Sequence, residues 1–144
     1  MKLIGVVVFF ILAAVSLAQN ILIGAPKPGA KVHAGRSLHV LIGKPDTLTD
    51  SPDIALVIAV APCIGFPSHH CLPPQEALGT VLYNGTFNPQ FERSGPFYPY
   101  QNFSVIIPHD FPKGPAQLNV ANFELIGAEY FPDLQLLNTT ITVY

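Results

Sequence analysis

The sequence predicts an all-β protein, an antiparallel sandwich of the immunoglobulin-like or fibronectin-III-like kind with about seven strands. Three observations carry that expectation. Apolar residues alternate with polar ones in repeated short runs, the period-two signature of half-buried strands. Fifteen prolines and eleven glycines punctuate 144 residues, a density that long helices do not tolerate. No window carries a sustained 3.6-residue period with helix caps. A jelly roll or small barrel is the alternative architecture.

The elements follow in order. Met1-Lys2, an unbroken apolar run from Leu3 to Val15 and then Ser16-Leu17-Ala18 have the layout of a secretory signal peptide. The run is short for a membrane span, which needs about 20 apolar residues. Residues 1–18 are therefore read as a signal peptide and residues 19–144 as one β-sandwich domain. Asn20 to Gly24 reads as a first strand, stopped by Pro26 and Pro28, and a second short piece surrounds Val32. Ser37 to Gly43 alternates, with Leu38, Val40 and Ile42 on one face, before Lys44-Pro45-Asp46 turns the chain. Asp53 to Ala61 is apolar on both faces. It reads either as a covered central strand with small alanines outward or as a strand whose outer face is open for binding.

Residues 62–76 form a loop around the only two cysteines, Cys63 and Cys71. Oxidising surroundings let them pair, closing a short loop worth about 2.5 kcal/mol in chain entropy; two buried thiols are the alternative. Leu78 to Tyr83 is a strand. Residues 84–100 are a long loop rich in proline and aromatics. Gln101 to Pro108 alternates with Phe103, Val105 and Ile107 on one face. Ala116 to Leu125 is a strand, Gly127 to Asp133 a loop, and Leu136 to Val143 the last strand. The C-terminus lacks the spacer and apolar tail of a lipid anchor. The chain is expected to be secreted, monomeric and without a membrane anchor.

Composition excludes several functions. Apolar residues make up 49% of the chain, too many for disorder. Seven Lys+Arg against nine Asp+Glu leave no basic footprint for nucleic acid. Sequons at Asn84, Asn102 and Asn138 agree with an extracellular glycoprotein.

The search for chemistry finds little. No Gly-x-Ser-x-Gly elbow is present, and Ser68-His69-His70 has no oxyanion-hole pattern beside it. Most acids sit in turns, and the strand acid Glu124 and the loop acid Glu129 have no identifiable partner for a paired-carboxylate mechanism. His33, His39, His69, His70 and His109 are the candidate metal ligands, read as scattered surface residues instead of a copper or zinc site. No enzyme activity, cofactor or metal is expected. Phe91, Phe97, Tyr98 and Tyr100 in the long loop are the candidate binding surface. They either form a rigid recognition platform or fold back onto the sandwich edge.

Six blocks then carry a resemblance: Ile23-Gly-Ala-Pro26, Leu78-Gly-Thr-Val-Leu82, Pro99 to Pro108, Gly114-Pro-Ala-Gln-Leu118, Phe123-Glu-Leu-Ile-Gly-Ala128 and Leu136 to Val143. Together they resemble the necrosis-inducing secreted protein family of fungal effectors. The resemblance implies a non-enzymatic binder that suppresses pattern-triggered immunity in plants through immune receptor-like kinases. An alternative is a cell-wall or carbohydrate-associated module using Tyr98 and Tyr100 as a platform. A copper-binding protein built on the histidines is a third, more distant reading.

Overall fold

The computed structural model describes residues 21–45, 51–64 and 70–144. The expected signal peptide and His69 lie outside them. Eight strands form the fold: β1 Leu22–Ala25, β2 Ala30–Val32, β3 Ser37–Gly43, β4 Asp53–Pro62, β5 Thr80–Gly85, β6 Tyr100–Ile106, β7 Gly114–Ile126 and β8 Phe131–Val143. They make two sheets, one of three strands in the order β1-β3-β6 and one of five in the order β2-β8-β7-β4-β5. The expected all-β sandwich is the observed architecture.

The sheets face each other across the alternating residues. Val40 and Ile42 of β3 and Phe103 and Val105 of β6 meet Leu56 and Ile58 of β4 and Leu118 and Val120 of β7 in one core cluster. A second cluster, with Val32, Val60, Ile107, Phe111, Ile141 and Val143, fills the other end. β3 and β6 thus bury their apolar faces and show their polar ones, whereas the middle of β7 is buried on both faces.

Three expectations change in detail. The sandwich is not purely antiparallel, because β2 runs parallel to β8. The chain leaves β1 through a cis Ala25–Pro26 bond, crosses to the other sheet and enters beside the last strand. The last strand begins at Phe131, not Leu136, and pairs with β7 over thirteen residues. Pro132 is tolerated there because β2 covers only Ile141 to Val143, so this stretch of β8 is an edge. Glu124, without a partner in the sequence reading, has one in the fold.

That partner is Lys44. Its ammonium lies between the sheets and donates to Asp53 Oδ2, Glu124 Oε2 and the Ser51 carbonyl, each at 2.8 Å. Asn122 Nδ2 donates to Asp53 Oδ1 at 2.7 Å. Gln135 Nε2 donates to Glu124 Oε1, and Gln135 Oε1 accepts the Ile21 backbone N–H at 2.8 Å. Glu124 is fully buried. A buried carboxylate persists only with such a set of donors.

The two faces of β4 answer differently. Leu56, Ile58 and Val60 point into the core. On the outer face, Ala59 is fully buried, while Ala55 is exposed and Val57 half-buried. The chain from Leu72 to Leu78 lies over the Ala59 side. Asn119 Nδ2 donates to the Leu78 carbonyl at 2.9 Å and Gln117 Nε2 to the Leu72 carbonyl at 3.1 Å. The outer face is therefore covered over the Ala59 half of the strand and open over the Ala55 half.

Two substitutions test this architecture. Val105→Asp, which places an unpaired charge in the core, should abolish secretion of folded protein. Lys44→Ala should lower unfolding free energy by about 3–5 kcal/mol, because it strands buried carboxylates. Normal yield and an unchanged denaturation curve for either variant would contradict the strand phase or the ionic cluster.

Candidate functional site

Register places the strand ends. β3 ends at Gly43, opposite the start of β6 at Tyr100. Asp53, where β4 starts, faces Glu124 near the end of β7. The β7–β8 turn and the 86–99 loop therefore share one end of the sandwich. The same end holds six of the ten large apolar side chains exposed among the described residues: Ile54, Phe91, Phe97, Tyr130, Phe131 and Leu134.

The loop is not a uniform aromatic platform. Phe97 is wholly exposed and Phe91 is 59% exposed. Tyr98 is half-buried and lies flat on the outer face of the three-stranded sheet. Gly24 and Gly43 make room for it: a Cβ on Gly43 would sit 2.7 Å from Tyr98 Cδ2. Tyr100 is buried, 8% exposed, against Gly95, and its hydroxyl donates to Glu92 Oε2 at 2.8 Å. Tyr98 and Tyr100 are thus anchors of the loop, the fold-back alternative for these two rings, whereas the Phe91 and Phe97 rings are exposed.

The loop is tied down at its base. The Gln90 and Tyr100 backbones exchange hydrogen bonds at 2.9 and 3.0 Å, and the Lys44 N–H donates to the Pro99 carbonyl at 2.8 Å. Lys44 thus holds the loop with its backbone and the two sheets with its side chain. Phe87 is drawn into the main core. A loop closed by paired backbone, two buried rings and one half-buried ring presents its remaining rings at low entropic cost.

The other half of the surface was missed. Tyr130 and Phe131 sit at the tip of the β7–β8 hairpin, where the turn enters β8, and Gly127 and Tyr130 of that turn both take positive φ. Two adjacent aromatics inside an expected loop were the available signal. The apolar character continues onto the outer face of the larger sheet through Ala55, Phe123 and Leu134, which are paired across β4, β7 and β8. Two sequons border that face. Asn84 is opposite Val57, Asn138 is opposite Asn119, and both asparagines are exposed. Asn102 is exposed on the smaller sheet, with its Oδ1 2.8 Å from His39 Nε2.

The remaining site expectations are placed as follows. Cys63 and Cys71 form a disulfide. His33, His39 and His109 gather at the opposite end of the sandwich, and His70 sits beside the disulfide in an isolated bridge with Ile64. Among the described residues, no three His, Cys, Asp or Glu side chains come together to hold a metal ion. No helix among them is long and apolar enough to cross a membrane.

A β-sandwich that carries a disulfide is in keeping with an extracellular protein. The chain belongs to the Nis1 family, a fungal effector-like family whose model matches residues 17–142. No curated protein matches the chain. Among solved structures, it is similar to a superoxide reductase (neelaredoxin) from Ignicoccus hospitalis, with a TM-score of 0.52 and 16% identity. That likeness covers 91% of this chain and 86% of the other, and at this identity it is one of fold.

The Tyr100 anchor has a pH signature. The hydrogen bond to Glu92, then burial and the Glu92 charge, hold the phenol above its ordinary value of 10.0. A phenol raised in the folded state contributes stability below its unfolded value, and loses it as pH climbs through the folded one. Spectrophotometric titration should show one tyrosine ionising after the others, and Glu92→Gln should bring it back toward them. A late tyrosine that persists in Glu92→Gln would contradict the anchor.

Proposed function

We propose that this chain is a secreted, glycosylated effector that acts as a monomer by binding a host protein, without turnover of its own. The partners it fits are plant immune receptor-like kinases. Binding there would suppress pattern-triggered immunity and, at sufficient dose, provoke cell death. Membership of an effector-like family supports the class. The observation that carries the mode of action is the collection of exposed large apolar side chains at one end of a rigid scaffold. Isolated surface apolar residues are ordinary, but several gathered at one end, on loops tied to strand ends, are in keeping with an interaction site.

Within that surface Phe97 and Phe91 are the anchors, with Tyr130 and Phe131 completing the contact. Large rings with few rotatable bonds dominate protein interfaces. The sequons at Asn84 and Asn138 border the outer sheet face, so glycans there would confine a partner to the loop end. Tyr100 is buried, so the carbohydrate-module alternative would have to work without that ring.

Affinity capture from plant extract with the secreted chain tests this reading. Recovery of a receptor-like kinase is expected. Phe91→Ala with Phe97→Ala should weaken capture about tenfold or more, with stability changed by no more than about 0.5 kcal/mol. Recovery of no such kinase, or capture untouched by the double variant, would contradict it.

A further inference from the structure

The end opposite the apolar surface gathers positive charge. Between β2 and the start of β3 is a cleft of about 170 Å³. Val32 and Leu38 form its floor, and Lys31, His33, Arg36, Ser37 and His39 its polar lining. Alternation puts these groups together. Lys31 and His33 share the outward face leading out of β2, and Ser37 and His39 share that of β3.

The turn that joins the two strands is held from three sides. The Ala34 N–H donates to the Tyr144 carbonyl at 3.1 Å, the Gly35 N–H to Ile107 at 2.8 Å and the Arg36 N–H to His33 at 3.3 Å. Gly35 takes φ +76, and the His109 ring packs where a Cβ would stand, 2.8 Å from its Cδ2. Only glycine fits such a position without strain. The Tyr144 ring lies 5.6 Å from Lys31 Nζ and 5.9 Å from the His33 ring, positioning both. His39 and Ser37 are set by their contacts to Asn102 and Ser104, at 2.8 and 2.6 Å.

Among the described residues no carboxylate side chain forms an ion pair with Lys31 or Arg36; the only ion pairs there are those of Lys44. Asp110 follows His109 but is outside the cleft lining. The two cations, Lys31 and Arg36, share one cleft, and an anion that enters it offsets their mutual repulsion. The guanidinium fork matches the paired oxygens of phosphate or sulfate, and lysine adds a mobile point charge.

We propose that this cleft is an oxyanion site that takes a phosphate or sulfate group. Arg36 is its bidentate donor and Lys31 its counter-charge, with the Ser37 hydroxyl and the His33 and His39 rings as further donors. The site stands apart from the apolar end and does not depend on the partner assigned there.

Titration of the secreted chain with inorganic phosphate and inorganic sulfate in chloride buffer, read from the imidazole NMR signals, tests the proposal. Saturable shifts of His33 and His39 are expected. Arg36→Ala and Lys31→Ala should each weaken them about tenfold. Both side chains are exposed, so neither change threatens the fold. Phe97→Ala should leave the titration unchanged. Phosphotyrosine and tyrosine sulfate in parallel titrations separate a free ion from a group carried on a larger ligand: tighter esters support the carried group, tighter inorganic ions the free one. Shifts that stay linear with concentration, or that persist in the Arg36→Ala/Lys31→Ala double variant, would overturn the proposal.

Discussion

The Lys44 ammonium, caught between Asp53 and Glu124, is the contact on which the loop end of this sandwich depends. It joins the end of β3 in one sheet to the first residue of β4 and to β7 in the other. Such a cluster is not an efficient source of stability, since desolvating the charges opposes their attraction. Its consequence is positional. The strand ends cannot slide past one another without stranding a carboxylate away from water. Asn122 and Gln135 complete the donor set, and Gln135 extends it to the Ile21 backbone. The arrangement is not fully satisfied, because Asn122 Oδ1 and Thr139 Oγ1 are buried without a hydrogen-bond partner. The same lysine accepts no freedom for the aromatic loop either, since its N–H fixes Pro99.

From that constraint follows a molecule with two unlike ends. At one, exposed rings stand on loops locked to strand termini. At the other, cations and imidazoles surround a cleft whose lining holds no carboxylate side chain. The core between them is ordinary in composition: aliphatic side chains from β3, β4, β6 and β7, with Phe103 tilted against Tyr83 at 4.8 Å between ring centres. On the proposed reading, function resides in what the scaffold presents, as suits a fold that serves many purposes.

Much of the scaffold was legible in the residues. Period two gave the inward faces of Ser37–Gly43 and Gln101–Pro108 correctly, because one face of each strand is buried and the other wet. The long loop was equally visible from its prolines. What stayed hidden depends on tertiary neighbours. Tyr98 and Tyr100 look like Phe91 and Phe97 in sequence; only the glycines at 24, 43 and 95 and the carboxylate of Glu92 decide which rings turn inward. Glu124 reads as a solitary strand acid because its partner lies eighty residues away. The length of β8 was hidden by Pro132, which marks a loop in most contexts and an edge strand here. The parallel β2–β8 pair joins the two extremes of the described chain, a distance over which no local pattern speaks.

The central claim is that the loop end makes the working contact. Photo-crosslinking amino acids placed singly at Phe97, Phe131, Ile64 and Ile106 test it most directly, since all four side chains are exposed and the last two lie at the other end. Exposure of the variants to plant extract should give a common crosslinked partner from Phe97 and Phe131, and none from Ile64 or Ile106. A partner captured from Ile64 or Ile106 while Phe97 and Phe131 stay silent would contradict the account.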